Sequence, residues 1–155
     1  MAVLKSTEGM RLNQKNSTNA NFGGRIYTST RTWAANQSNI NMIQIYQNGA
    51  TSSLRETLSI CIRWTALRTS GSKTEIPALF STARLFLNTD GNISVDAHDW
   101  QSWGGNGILW PYVSQGGASV FIGANNGFST GMIGSVWVTM NTLQWDKVVV
   151  NVFSD

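Results

Sequence analysis

Residues 58–68 read LSICIRWTALR, and the period of this run decides the fold class. Leu58, Ile60, Ile62, Trp64 and Ala66 fall on one side, with Ser59, Arg63 and Thr65 on the other. Successive side chains of a strand point to opposite faces of a sheet, so strict period-two alternation marks a strand with one buried and one wetted face. Cys61 lies inside the run and reads as a small buried hydrophobe rather than a nucleophile. As the chain's one cysteine it leaves no partner for an internal disulfide and no basis for a zinc cluster.

The pattern continues on both sides of this run. Upstream, residues 25–33 (RIYTSTRTW) alternate and are rich in β-branched and aromatic side chains. A polar turn near residues 36–39 separates them from a strand over 40–46, which ends at the turn pair Asn48-Gly49. Residues 52–58 offer at most one helical turn. Downstream, 76–80 predict a short strand interrupted at Pro77, which has no N–H for a ladder. Residues 84–95 predict a hairpin, RLFLN and NISV flanking a turn built on Asp90-Gly91. Further strands are expected over 119–123, 133–140 and 143–153. No window is an amphipathic helix, and no fixed-period repeat points to a propeller or solenoid.

Many short strands separated by Gly, Asn and Ser turns predict an all-β protein, an antiparallel β-sandwich of jelly-roll type. The 155 residues suit one core. Residues 1–24 read as an extended N-terminal arm and residues 25–155 as one sandwich domain. The arm is polar, with Asn13, Gln14, Lys15, Asn16, Ser17, Thr18 and Asn19 in succession, and cannot bury enough apolar surface to order itself.

Charge narrows the partners. Charged residues make up only 12% of the chain, so Asn, Ser, Thr and Gly supply most of its polar surface. Residues 1–84 carry ten Lys and Arg against three acids, a balance of +7, while residues 85–155 carry one Lys against five acids, a balance of −4. Either the two halves interleave into scattered surface charge, or basic and acidic patches meet head to tail between subunits. Lys5, Arg11, Lys15, Arg25 and Arg31 are too dispersed to neutralise several neighbouring phosphates, so nucleic acid is not an expected partner. The start lacks the apolar core of a signal peptide and no run is long enough to span a membrane, so synthesis and folding in a cytosol and no membrane contact are expected. The Asn-x-Ser/Thr triplets at Asn16, Asn36 and Asn92 then carry little weight as glycosylation sites.

Chemistry is sparse. His98 lies beside Asp96 and Asp99, but a second His or Cys ligand is missing, and adjacent positions seldom converge on one point. Nothing fixes Glu56 and Glu75 at the separation a glycosidase needs, and neither a nucleophile elbow nor a phosphate loop occurs. No enzyme activity, cofactor or metal is expected. The candidate ligand site is instead the segment over 98–112, HDWQSWGGNGILWPY, which places Trp100, Trp103, Trp110 and Tyr112 among glycines. These rings either cap the open end of the sandwich, pack between subunits, or stack on sugar rings while Asp96, Asp99, Gln101 and Asn106 bond hydroxyls.

Residues 77–95, PALFSTARLFLNTDGNISV, and 145–150, WDKVVV, resemble the laminin-G or concanavalin-like jelly roll, in which an aliphatic-Phe-Ser run precedes an Asp-Gly hairpin and a Trp leads a strand. The NQKNSTNANFGG arm, low charge, abundant Asn, Ser, Thr, Gly and Trp, and lone cysteine resemble structural proteins of tailed bacteriophages: decoration proteins, head fibres and tail-fibre tips. That resemblance implies a non-enzymatic protein on the virion surface, a homotrimer or other homo-oligomer attached to other virion proteins. The aromatic segment adds the alternative of a lectin-like module for host surface glycans.

Overall fold

The computed structural model describes residues 2–6, 10–12, 24–51, 56–69, 75–102 and 109–155, with side chains for 24–51, 56–69, 80–99 and 112–155. The protein is an antiparallel β-sandwich. The strands are β1 (Ala2–Ser6), β2 (Met10–Leu12), β3 (Gly24–Trp33), β4 (Ile40–Gln47), β5 (Glu56–Arg68), β6 (Glu75–Leu87), β7 (Ile93–Ser102), β8 (Leu109–Gly116), β9 (Ser119–Asn126), β10 (Met132–Asn141) and β11 (Val148–Ser154). One sheet has the order β1-β11-β4-β9-β8, the other β2-β3-β10-β5-β6-β7. The chain changes sheet between β1 and β2, β3 and β4, β4 and β5, β7 and β8, β9 and β10, and β10 and β11. Consecutive strands pair in β2-β3, β5-β6-β7 and β8-β9, while the remaining pairings join strands distant in sequence and close the core.

Alternation places the core. Along β5, Leu58, Ile60, Ile62, Trp64 and Ala66 are buried and the intervening residues face outward, as the opening run predicts. Val136, Val138 and Met140 of β10, Leu85 and Leu87 of β6, and Ile93 of β7 complete that inner face. Ile43, Ile45, Ile122, Val150 and Val152 oppose them from the other sheet. Fully burying one such aliphatic side chain contributes about 1.5–3 kcal/mol.

Several expectations change on folding. Cys61 is exposed, because its odd place in the β5 alternation sends it to the outer face despite its apolar character. The strand over 76–80 and the first arm of the 84–95 hairpin are one strand, β6. Pro77 fits within it because the β5–β6 register shifts between Trp64 and Ala66, and a proline costs no ladder bond at such an irregularity. The Asp90-Gly91 turn forms as expected, with Gly91 at φ +84° and Asp90 Oδ1 accepting from Asn92 N at 2.9 Å. The strand over 143–153 begins instead as a 3₁₀ turn, Trp145–Lys147. That turn tucks the Trp145 indole under the buried Arg25 guanidinium, 4.2 Å from the ring centre. Residues 52–55 lie outside the described residues, while 56–58 belong to β5.

In the leader, Ala2–Ser6 pairs with β11 from Ala2↔Ser154 to Ser6↔Val150, and Met10–Leu12 pairs with β3 from Met10↔Ile26 to Leu12↔Gly24. The rest of residues 1–23 lies outside the described residues. Past Ile26 the edge of β3 is met by Asp155, whose carboxylate accepts from Thr32 N at 2.6 Å and Arg31 Nε at 2.9 Å. These bonds, the first-named foremost, hold the Asp155 carboxyl below its ordinary pKa.

Candidate functional site on the outer face of the six-stranded sheet

The described residues of the tryptophan-rich segment end β7 and begin β8, edge strands of the two sheets that approach one another. This placement divides the predicted site. Trp103 and Asn106 lie outside the described residues. Trp100 and Gln101 pair by backbone with Ser81 and Phe80, and Trp110 pairs with Asn125, while their side chains lie outside the described ones. Asp96 sits where the β6–β7 register shifts and forms an ion pair with Arg84. Asp99 is exposed, opposite Thr82. Tyr112 belongs to the other sheet: it pairs with Gly123, and its hydroxyl donates to Asn41 Oδ1 at 2.7 Å. Burial pushes that phenol up to about 12, with Arg31 opposing the shift. A ring laid over a cross-strand glycine and bonded at its tip is a packing device.

His98 is turned toward the inter-sheet side, with Nε2 and Ser81 Oγ 2.8 Å apart. Burial lowers its pKa, and the nearby Asp99 charge partly offsets this. A serine beside an imidazole has the spacing of a nucleophile and its base. Ser81, however, is 1% exposed and is not presented to a substrate. No group of three or more His, Cys, Asp or Glu among the described residues is placed to hold a metal ion.

A different constellation is presented to solvent. Trp137 on β10 pairs with Arg63 on β5, which pairs with Phe80 on β6, so the three share one row on the outward face of the six-stranded sheet. Trp137 is 48% and Phe80 37% exposed, and Arg63 is exposed between them. Two pairs along the strands, Ile133 and Leu67 form a second apolar row, each 40% exposed. Between these rows lie Thr30, Ser135 and Thr65, with Thr30 Oγ1 donating to Ser135 Oγ at 3.3 Å. Together with Leu67 and Ile133 these hydroxyls line an open concavity of about 420 Å³, within the range of small-ligand sites.

This row spans three strands and is not visible within any one of them. The signal was present in residues 133–140: Val136, Val138 and Met140 already fill the inner face of β10, so Trp137 and Ile133 must face out.

Comparison with family models and with curated proteins finds no match. Among solved structures, the chain is similar to the tailspike protein of Acinetobacter baumannii phage AM24, with a TM-score of 0.42 and 10% sequence identity. The likeness covers 78% of this chain and 26% of the tailspike chain.

Proposed function

We propose that this protein is a non-enzymatic structural component of a virion surface, of the bacteriophage decoration, head-fibre or tail-fibre kind, and that it assembles as a homo-oligomer through its leader. The observation carrying this reading is the placement of β1 and β2. Both come from the leader, and each adds to a sheet through an edge, β1 along β11 and β2 along β3. Edge pairing uses main-chain donors and acceptors, so the leader of any copy satisfies it equally well. Eleven residues join Leu12 to Gly24, although these two pair directly. Hairpin connections usually take about 2–5 residues. A tether of this length permits exchange of the leader between copies and attachment to other virion proteins. The low charge and the Asn-, Ser- and Thr-rich surface accord with packing against like subunits.

Removal of residues 1–12 tests the assignment. The full chain is expected to sediment as a trimer or other oligomer, and the truncated chain as a monomer that keeps its β circular-dichroism spectrum. A full chain that is monomeric, or a truncation that leaves the oligomer intact, would reject leader-mediated assembly.

A further inference from the structure

We infer that the row Trp137-Arg63-Phe80, with the adjoining Thr30, Thr65 and Ser135 hydroxyls, is a binding site for a carboxylated saccharide of uronic or sialic type. This goes beyond the assembly role, uses none of the leader and engages none of the predicted aromatic segment.

The chemistry follows from the three strands. Trp137 and Phe80 flank Arg63 on neighbouring strands, two strand spacings or about 9–10 Å apart. That span lets each ring lie against the C–H face of one sugar unit of a disaccharide while the guanidinium reaches a group between them. Among the described residues Arg63 forms no hydrogen bond or ion pair. Its neighbours on the outward face are Thr139, Cys61, Thr82, Ser135 and Thr65, all uncharged. Arg84 is neutralised by Asp96, and Asp99 stands two strands away on β7. Among the described residues, the centre of the face therefore offers one unneutralised guanidinium between two rings, in a field of hydroxyls. A planar guanidinium matches a carboxylate bidentately, and the hydroxyls both donate and accept, as sugar hydroxyls require.

Size and charge select this occupant over others. The four exposed apolar side chains amount to a few hundred Å² at most, within what a monomer carries and short of the roughly 800 Å² per partner of a stable protein interface. A single central cation does not provide the several phosphate contacts that nucleic-acid affinity needs. A neutral sugar would leave the guanidinium without its complement.

The test applies the full chain to an array of oligosaccharides bearing uronic or sialic acid, followed by calorimetric titration of a captured glycan and its carboxyl methyl ester. The expected result is binding of the acid form, with the ester, Arg63→Gln and Trp137→Ala each weakening it roughly tenfold or more, as for loss of a charge-assisted contact or a stacked ring. Both variants should keep the parent thermal midpoint to within a few degrees, since both side chains are exposed. Cys61 lies on the same face two residues from Arg63, so bound glycan should also slow its alkylation. Silence across the array, equal affinity for acid and ester, or binding indifferent to both substitutions would overturn the assignment. So would an oligomer that Trp137→Ala dissociates, which would make the face a subunit contact.

Discussion

On the five-stranded side of the sandwich, outward-facing side chains bond one another. Asn151 Nδ2 donates to Gln44 Oε1 at 2.9 Å and Gln44 Nε2 donates to Ser119 Oγ at 3.0 Å, linking β11, β4 and β9. Tyr112 lies over Gly123 and is bonded at its tip to Asn41. On the six-stranded side the corresponding positions hold Trp137, Phe80, Ile133 and Leu67 with much of their surface in water, and Arg63 without a charged or hydrogen-bonded complement among the described residues. Strand alternation is the same in both sheets. Side chains bonded to one another across three strands are held by folding alone, with Asn151 Oδ1 left without a partner among the described residues, whereas exposed rings around an uncomplemented guanidinium gain from a ligand. The contrast separates scaffold from site.

Three measurements sharpen or break this contrast. The largest effect is expected for Gly123→Ala, because the added Cβ would run into the Ile40 carbonyl oxygen and the Tyr112 ring tip. The backbone oxygen cannot swing aside, so denaturant unfolding should show a loss of about 1–3 kcal/mol or more. A neutral result would mean that the closed face is looser than its contacts imply.

Tyr112→Phe removes only the bond to Asn41 Oδ1 and should cost about 0.5–1.5 kcal/mol by the same measurement. It should leave glycan capture unchanged. Loss of capture with stability intact would return Tyr112 to the binding role that the sequence assigns to it.

The smallest effect concerns His98 at the β7 edge. Its folded-state pKa is depressed, mainly by burial, so its contribution is complete above about pH 6.5, where the imidazole is neutral in folded and unfolded chains alike. As pH falls from there toward the lower folded-state pKa, the unfolded chain takes up the proton first and stability declines. His98→Gln should flatten that part of the stability profile, as followed by thermal melts between pH 7 and pH 5. An unchanged slope would show that the imidazole is hydrated in the folded protein.

Much of the fold was legible along the chain, and much less of the site. The inner faces of β5 and β10 are written in alternate apolar residues, and Asp90-Gly91 announces its hairpin. Pro77 breaks the strand pattern of its own run, while the register shift that accommodates it is a property of the β5–β6 pair. Cys61 faces outward because its place in the period, not its apolar character, sets its side of the sheet. The tryptophan-rich segment drew attention by composition, yet Asp96 serves an ion pair, and Tyr112 packs on the opposite sheet from Asp99.

By itself, the sequence determined that this protein is built of strands and which side of each strand is apolar, because side-chain alternation is a local property of extended backbone. Only the tertiary structure decided which outward residues stand together. Arg63, Phe80 and Trp137 come from three strands spread over 75 positions of the chain, and cross-strand register alone sets them side by side. Register depends on how the two sheets close over a shared core, a non-local condition that no single run of residues records.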